Sequence, residues 1–327
     1  MYSREILHGL ARAHPASRFL YCYRPHRFLK SFADSHPWNA RRRLLRYSKP
    51  PRADLFHSLN QRVEYQTKSL PTVVTFHDLF VLSGDYSSKG FRKDFAIRAA
   101  QAAERSDLII AVSQFTADQI EANLRVPAAR LRVIPHGTRP PLIAPVYDHT
   151  RENIILHVGA IQKRKNIIRL VEAFESVDPS WRLVLAGAAS GWQSAEALAR
   201  VEASPARARI EVTGYVTDSK LEDLYRRARI FAFPSLDEGF GIPVIEAMAQ
   251  GLPVLTSNRS ALPEAAGGAA LLVDPLDTDS IASGLSRLIE DPSLRAALSE
   301  QGLARAASMT WERAVEQTWA VYRELLK

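Results

Sequence analysis

Ten short apolar runs, arranged as two series of five, constrain the fold more than any other feature of this sequence. Each run is six to eight residues long, and amphipathic segments such as 91–105, 165–177 and 218–227 lie between them. Apolar strands that alternate with helices are typical of parallel sheets covered on both faces. We therefore predict an α/β protein with two doubly wound, Rossmann-like domains. The predicted strands are 18–23, 54–59, 72–78, 107–113 and 132–137, then 153–159, 181–187, 209–216, 230–235 and 252–258.

A proline-containing segment separates the two series, and 327 residues exceed what a single core usually holds. We predict a first domain over 1–138, a linker over 139–152 and a second domain over 153–311. The helical tail over 312–327 is a candidate to pack back on the first domain. Two such domains in tandem are expected to face a central cleft at the carboxyl ends of both sheets, where a ligand would bind.

The net charge of +8 is concentrated near the start, where twelve Lys/Arg and only three acidic residues precede Asn60. Residues Trp38 to Arg52 interleave arginines with apolar side chains. Such a segment suits contact with an anionic membrane or an acidic acceptor, and a solvated basic loop is the alternative. No recognised nucleic-acid-binding motif accompanies the charge, so we expect no nucleic-acid partner.

Cellular location is constrained by two features. The lone cysteine, Cys22, cannot form an intramolecular disulfide, which suits a reducing compartment. The first residues lack the apolar run of a signal peptide, and no stretch is long enough to cross a bilayer. We expect a cytoplasmic protein, with the inner membrane surface as a candidate place of contact.

Two glutamates, Glu238 and Glu246, flank a glycine-rich turn. Glu238 follows an apolar strand, whereas Glu246 lies about one turn into a helix that Pro243 is suited to begin. Between them, Gly239 and Gly241 allow close backbone approach, and a helix start favours a phosphate. A glycosidase pair has no anion site between its carboxylates. The order of carboxylate, anion site and carboxylate therefore fits a nucleotide sugar better. The alternative is an ordinary strand–loop–helix turn without a ligand.

These residues form part of "EGFGIPVIE", which resembles the E-x7-E signature of glycosyltransferase family 4, retaining enzymes of the GT-B fold. The stretches "ILHVGAIQKRKN", "VTGYV", "TFHDL" and "VSQFTADQI" also resemble family elements, so the similarity covers nearly the whole chain. "TFHDL" together with "EGFGIPVIEAM" looks most like bacterial mannosyltransferases. Family members begin with a strand and a glycine-rich loop, and both are expected to be absent here because residues 2–14 already resemble the helix that follows them.

The resemblance implies specific roles. Glu238 and His77 would be catalytic residues near the transferred sugar, and Lys165 would neutralise the donor diphosphate, with Arg164 beside it. For Lys165 a solvated helix start, and for His77 a strand-end histidine capped by its neighbour, are the alternatives. Glu246 would bind the ribose, while backbone groups near the glycines would hold the sugar, phosphate and base. The donor-binding residues implied are Gly159, Arg164, Lys165, Gly214, Tyr215, Val216, Phe240, Gly241, Ile242 and Glu246.

The implied reaction transfers a hexose with retention, without a protein nucleophile, a metal or a cofactor. GDP-mannose is the favoured donor over a UDP-sugar, and the acceptor would be lipid-linked or a polysaccharide precursor. The alternatives are a UDP-hexose-dependent transferase and a non-catalytic nucleotide-sugar-binding or scaffold protein. An epimerase or phosphorylase of the same fold fits the motifs less well.

Overall fold

The structure, a computed structural model, describes residues 2–45, 52–63, 70–141 and 148–326. The chain divides into two compact units. Unit 1 comprises the chain through Leu82, Lys89–Gly137 and the stretch from Thr310 onward, and unit 2 comprises Ser83–Ser88 and Thr138–Met309. The described part of the predicted linker thus belongs to unit 2. There the buried Arg151 donates hydrogen bonds to the carbonyl oxygens of Tyr225, Ala228 and Gln250.

Within the described residues, unit 1 contains two separate parallel sheets. A four-stranded sheet has the order β3–β4–β5–β6, and β1 pairs with β2 alone. All five strands predicted for the first series are present, and every side chain of β4 and β5 is buried. The strands are β1 (Phe19–Tyr23), β2 (Ala40–Leu44), β3 (Phe56–Ser58), β4 (Thr72–Phe76), β5 (Leu108–Ala111) and β6 (Leu131–Val133).

The strand β2 was not predicted, and it corrects the interpretation of 38–52 as a solvated loop. Ala40–Leu44 pairs in parallel with Phe19–Tyr23, although its sequence is mostly arginine. Arg42 donates hydrogen bonds to the carbonyl oxygens of Ser31 and Asp34, so its charge is tied to the local fold. Long basic side chains can leave a strand for solvent while its backbone stays paired. Residues 46–51 of this segment lie outside the described residues.

In unit 1 the first and last helices pack together on one side of the four-stranded sheet. Ile6 and Leu10 of α1 share a buried cluster with Trp311 and Val315 of α13. The two helices approach closely at Gly9, where an added Cβ would lie 2.4 Å from Val315 Cγ2. The helices are α1 (Tyr2–Ala13), α2 (Pro25–Phe28), α3 (Phe80–Ser83), α4 (Lys89–Glu104), α5 (Gln114–Leu124) and α13 (Trp311–Leu325).

Unit 2 is built on a parallel sheet that has six strands in the described residues, in the order β12–β11–β10–β7–β8–β9. The five predicted strands of the second series are present. The short β12 was not predicted. The strands are β7 (Ile154–Val158), β8 (Arg182–Ala186), β9 (Ile210–Gly214), β10 (Ile230–Phe233), β11 (Val254–Ser257) and β12 (Leu271–Val273).

The strand order of unit 2 reverses between β7 and β10. From β7 the chain builds outward through β8 and β9, then returns to β10 on the other side of β7. In open parallel sheets such a switch point leaves a crevice at the carboxyl ends of the two strands, where ligands bind. The covering helices are α6 (Ile167–Glu175), α7 (Ser194–Glu202), α8 (Asp218–Arg227), α9 (Ile242–Ala249), α10 (Leu262–Ala266), α11 (Thr278–Glu290) and α12 (Pro292–Ala307).

Candidate active site

Three charged side chains meet at the switch point of unit 2. Glu238 Oε1 lies 2.6 Å from Lys165 Nζ and 2.7 Å from Arg164 Nη1. Arg164 and Lys165 follow β7 and Glu238 follows β10, so the strand order itself brings them together. Each side chain is about one-tenth exposed. A carboxylate and two cations therefore share a nearly water-free crevice.

The electrostatics of this cluster keep Glu238 ionised. Burial alone raises the pKa of the Glu238 carboxyl, but the adjacent Lys165 and Arg164 outweigh it and lower the pKa to about 2. The ammonium of Lys165 also lies 4.4 Å from the centre of the Phe233 ring, a favourable position for a cation. Lys165 is thus buried and doubly held, which rules out the interpretation as a solvated helix-start lysine.

The loop after β7 explains why Lys165 points inward. Residues Lys163–Lys165 form a 3-10 turn, and α6 begins at Ile167, later than the predicted start at Lys165. Asn166 donates hydrogen bonds to the carbonyl oxygens of Pro234 and Pro275, which ties the loop to the one after β10. At Gly159 an added Cβ would lie 3.1 Å from Lys165 Cε, so glycine leaves room for the lysine side chain.

The loop that carries Glu238 is fixed by backbone hydrogen bonds. The Leu236 amide donates to the carbonyl oxygen of Arg164, and Arg164 Nη1 donates to the carbonyl oxygen of Asp237. The Glu238 amide donates to Ser260 Oγ at 3.1 Å. Main chain and side chain of Glu238 are therefore both held by other groups of unit 2.

The second glutamate lies on a different element, as predicted. Helix α9 begins at Ile242 with Pro243 in its first turn, after Gly241 in a left-handed conformation with φ of +105°. Glu246 is one turn into the helix and accepts a hydrogen bond from the Tyr225 hydroxyl at 3.3 Å. Burial raises the pKa of Glu246 to about 7, the opposite direction from Glu238. The two carboxylates are therefore not equivalent.

The remaining predicted donor-binding positions lie around the same sheet edge. Gly214 ends β9 with φ of +68°, and its carbonyl oxygen accepts from the Gly187 amide at 3.0 Å. The next residue, Tyr215, has an 82% exposed side chain, while Val216 is half-buried. Phe240 is buried beside Gly241 and Ile242. Their contacts with a donor stay predictions.

His77 lies in unit 1, directly after β4, among neutral aromatic groups. Its Nε2–H donates to the Leu59 carbonyl at 2.8 Å, and its Nδ1 lies 3.4 Å from His136 Nε2. Burial lowers the pKa of His77, so the ring is neutral and Nδ1 is an acceptor. The edge of the Tyr2 ring packs on it at 4.6 Å between centroids. A role near the transferred sugar stays a prediction.

Sequence reasoning missed several residues that support the site: Tyr225, Ser260, His157, Asp237 and Ser83. The His157 ring is buried in β7, its Nδ1 lies 3.0 Å from the Ala232 carbonyl, and burial followed by the nearby Lys165 lowers its pKa to about 4. A histidine inside an otherwise apolar strand was a signal that could have found it. Ser83 gave no signal, because it lies in the other half of the sequence.

Comparison with known proteins matches each half of the chain to a glycosyltransferase model. Residues 7–140 match the model of Glycosyltransferase Family 4, and residues 143–305 match the model of Glycosyl transferases group 1. The chain is 33% identical over 270 residues to O-antigen chain mannosyltransferase B of Escherichia coli, which covers 77% of this chain and 70% of that relative. The chain belongs to the family 4 glycosyltransferases.

A second relative of this glycosyltransferase is the serotype-specific mannosyltransferase WbdA of Escherichia coli. The two are 29% identical over 278 residues, which is 78% of this chain and 34% of WbdA. The glycosyltransferase therefore spans about a third of the length of WbdA. Both relatives are named as mannosyltransferases, which confirms the predicted resemblance to bacterial members of that kind.

Solved structures confirm the predicted GT-B fold of the glycosyltransferase. Sucrose-phosphate synthase from Thermosynechococcus elongatus matches with a TM-score of 0.80 at 24% identity, over 99% of this chain and 92% of that one. Anabaena Alr3699/HepE, solved in complex with UDP-glucose, matches with a TM-score of 0.68 at 20% identity, over 78% and 72% of the chains. At these identities the likeness establishes the fold alone.

Proposed function

We propose that this glycosyltransferase moves mannose from GDP-mannose to a lipid-linked or polysaccharide acceptor, with retention of configuration at the anomeric carbon. The observation that carries the proposal is the buried cluster of Lys165, Arg164 and Glu238 at the switch point of unit 2. The similarity to mannosyltransferases supports mannose as the sugar.

The cluster suits the departure of a nucleoside diphosphate. As the bond from the anomeric carbon to the phosphate oxygen breaks, negative charge grows on the diphosphate. Lys165 and Arg164 would stabilise that charge from fixed positions, so no rearrangement is needed during the reaction. The start of α9 after Gly241 adds the positive end of a helix, which favours a phosphate.

Glu238 would orient the sugar and balance the two cations. With a pKa of about 2 it stays ionised at physiological pH and cannot serve as a general acid. The acceptor hydroxyl would attack the anomeric carbon on the face that the diphosphate leaves, and a phosphate oxygen of the leaving group would take its proton. Glu246 and Tyr225 would bind the ribose hydroxyls.

A UDP-hexose is the second candidate donor, because a protein of the same fold was solved with UDP-glucose. Thermal unfolding with GDP, UDP, ADP or dTDP, with and without magnesium, separates the two. A ligand at one hundred times its Kd stabilises by about 2.7 kcal/mol. We expect the largest shift with GDP, independent of magnesium.

The variant Lys165→Ala should abolish the GDP shift. Lys220→Ala is the matched control, since Lys220 is a half-exposed lysine of unit 2 paired with Asp223 on the surface. A larger shift with UDP than with GDP would indicate that the donor is a UDP-hexose. A chain that responds to none of the four diphosphates would contradict the transferase proposal and favour the scaffold alternative.

Contact with an anionic membrane also belongs to the proposal. Around α2 and β2, three large apolar side chains are exposed: Leu29 by 79%, Phe32 by 63% and Trp38 by 82%. In the described residues no helix has the length and apolarity to cross a bilayer. Aromatic and basic groups side by side suit the headgroup region. The exposed basic residues nearby are Arg27, Lys30, Arg41 and Arg43.

Sedimentation with vesicles tests this contact. We expect the protein to bind vesicles containing phosphatidylglycerol but not vesicles of phosphatidylcholine alone, and to lose most of that binding in Phe32→Ala/Trp38→Ala. Phe91→Ala is the control, because Phe91 is a half-exposed aromatic residue of α4, outside the α2 and β2 region. Binding that is unchanged in the double variant would contradict this surface.

A further inference from the structure

The short segment Ser83–Ser88 is placed unusually for its position in the sequence. It connects α3 to α4, and the residues before and after it belong to unit 1. The segment itself belongs to unit 2. We call it the 83–88 segment, and its contacts lead to the loop that carries Glu238.

The 83–88 segment contacts the rest of unit 2 through two of its residues. Ser83 Oγ donates to Asp237 Oδ2 at 2.5 Å, and Asp85 lies 3.5 Å from Lys163 Nζ. Between these two contacts, Gly84 allows Tyr86 to fold back, because an added Cβ there would lie 2.2 Å from the Tyr86 ring. Burial, and then the charge of Asp237, raises the pKa of Tyr86. Two residues of the segment, Ser83 and Tyr86, therefore interact with Asp237.

Asp237 immediately precedes Glu238 and is itself buried. Its Oδ2 accepts from Ser83, and its carbonyl oxygen accepts from Arg164 Nη1. Its Oδ1 is buried without a hydrogen-bond partner among the described residues. The Ser83 hydroxyl is therefore a principal restraint on the Asp237 side chain. Because the two residues are consecutive, a change in Asp237 would shift the backbone from which the Glu238 side chain extends.

We propose that Ser83 is a positioning residue of the donor site, which through Asp237 holds Glu238 in the orientation needed to contact the donor sugar. The proposal rests on the function proposed above, in which Glu238 contacts that sugar. A purely structural role for Ser83 makes a different prediction. It would weaken folding and the binding of every ligand alike, whereas loss of Glu238 positioning weakens the binding of ligands that carry the sugar much more than that of GDP.

The first test compares the affinities of GDP-mannose and GDP by calorimetry, for the wild type and three variants. Ser83→Ala removes the hydroxyl, and Ser83→Thr keeps one. Ser299→Ala is the matched control, because Ser299 Oγ makes a hydrogen bond of 2.6 Å to the Gly251 carbonyl in the same unit. A hydrogen bond to a charged group is worth enough to change affinity about tenfold.

We expect Ser83→Ala to weaken GDP-mannose binding about tenfold while GDP binding changes less than about twofold. Ser83→Thr should restore the wild-type preference for GDP-mannose over GDP, and Ser299→Ala should leave that preference unchanged. The proposal is overturned if Ser83→Ala leaves the ratio of the dissociation constants of GDP and GDP-mannose at its wild-type value, which includes the case in which both ligands bind equally more weakly. Equal wild-type affinities for the two ligands would overturn it as well.

A second measurement needs no ligand. We expect Ser83→Ala to increase the rate of amide hydrogen exchange in the peptide covering Leu236 to Gly241, without changing the exchange of β7 or β8. Unchanged exchange in that peptide would overturn the positioning role. If the wild type binds no nucleotide at all, the proposed function fails, while this measurement still decides whether Ser83 holds the loop.

Discussion

Unit 1 and unit 2 each bury polar groups near the carboxyl ends of parallel strands, but by different means. In unit 1 the groups are neutral: His57 Nδ1 lies 2.6 Å from the Tyr322 hydroxyl and His57 Nε2 lies 2.8 Å from Thr75 Oγ1. In unit 2 they are ionised: Glu238 is held by Lys165 and Arg164.

The pKa directions express the same difference. Burial lowers the pKa of His57 to about 3 and raises that of Tyr322 well above its usual range, so both stay neutral. In unit 2 the cations overcome burial and lower the pKa of Glu238. A neutral network satisfies its own hydrogen bonds, whereas Lys165 and Arg164 of unit 2 bring two cations to one carboxylate oxygen of Glu238. The buried cations that the proposed anion binding requires therefore lie in unit 2.

The largest predicted effect comes from breaking the charge balance of unit 2. Lys165→Met leaves Glu238 buried with only one cation, and removing one partner of a buried pair costs about 3 kcal/mol. We expect a loss of that size in the free energy of unfolding, measured with urea. The double variant Lys165→Met/Glu238→Gln should lose less than Lys165→Met alone. If Lys165→Met lowers the free energy of unfolding by less than about 1 kcal/mol, the buried charge of Glu238 does not depend on Lys165.

A smaller effect is expected in the neutral network of unit 1. Tyr322→Phe removes the hydroxyl beside His57 Nδ1 and leaves a buried polar atom without its partner. Such a change costs about 1–2 kcal/mol, less than Lys165→Met. Urea unfolding measures it, with Tyr215→Phe as the control because that ring is 82% exposed. A loss equal to that of Lys165→Met would remove the energetic distinction between the two clusters.

Mild acid should affect the two units in opposite directions. Unfolded His57 takes up a proton below pH 6.5, whereas folded His57 does not until about pH 3, so unit 1 loses stability as the pH falls below 6.5. Folded Glu246 keeps its proton up to about pH 7, whereas the unfolded carboxyl releases it above pH 4.5. Unit 2 therefore gains stability from Glu246 as the pH falls from 7 to 4.5, and the buried His157, whose folded pKa is about 4, offsets part of that gain below pH 6.5.

Scanning calorimetry at about pH 7.5 and pH 5.5 checks this divergence. Each fully shifted group contributes about 1.4 kcal/mol per pH unit at most. Glu238 does not interfere, because with its lowered pKa its contribution is lost only below about pH 4.5. His57→Gln should reduce the acid sensitivity of unit 1, and Glu246→Gln should remove the gain in unit 2. Parallel changes in both units would contradict the pKa directions.

The smallest effect should come from an exposed ion pair. Arg132 and Glu324 of unit 1 are 33% and 41% exposed, yet their distance of 2.5 Å is as short as the distances in the buried cluster. Exposed pairs contribute about 0–1 kcal/mol. Glu324→Gln should therefore change the free energy of unfolding by less than about 0.5 kcal/mol, and added salt should reduce even that. A loss of unfolding free energy near that of Lys165→Met would mean that burial does not make the Lys165–Glu238 pair more important for stability than the exposed Arg132–Glu324 pair.

The sequence predicted ten strands from their apolar runs, most clearly β4, β5, β10 and β11, in which every side chain is buried. It missed β2, in which arginines occupy a paired strand, and the short β12. It also placed Lys165 in a helix, whereas Asn166 adopts a left-handed conformation with φ of +59° that ends the turn before α6 begins.

For the candidate site, the sequence identified Glu238 and Lys165 but not the contact between them. They are 73 residues apart, and only the placement of β10 beside β7 brings their loops together. The same limit applies to Ser83 and Asp237, separated by 154 residues. Local patterns report which face of an element is buried, whereas these contacts depend on the order of strands in the finished sheet.

The packing of α1 against α13 has a consequence for how the chain is made. Gly9 and Val315 touch across more than three hundred residues of sequence, so the core of unit 1 is incomplete until α13 leaves the ribosome. By then nearly all of unit 2 is already available to fold. During synthesis, domains generally fold as their residues appear. We infer that the first unit in the sequence is the last to finish folding, with its apolar face for α13 open to chaperones in the interval.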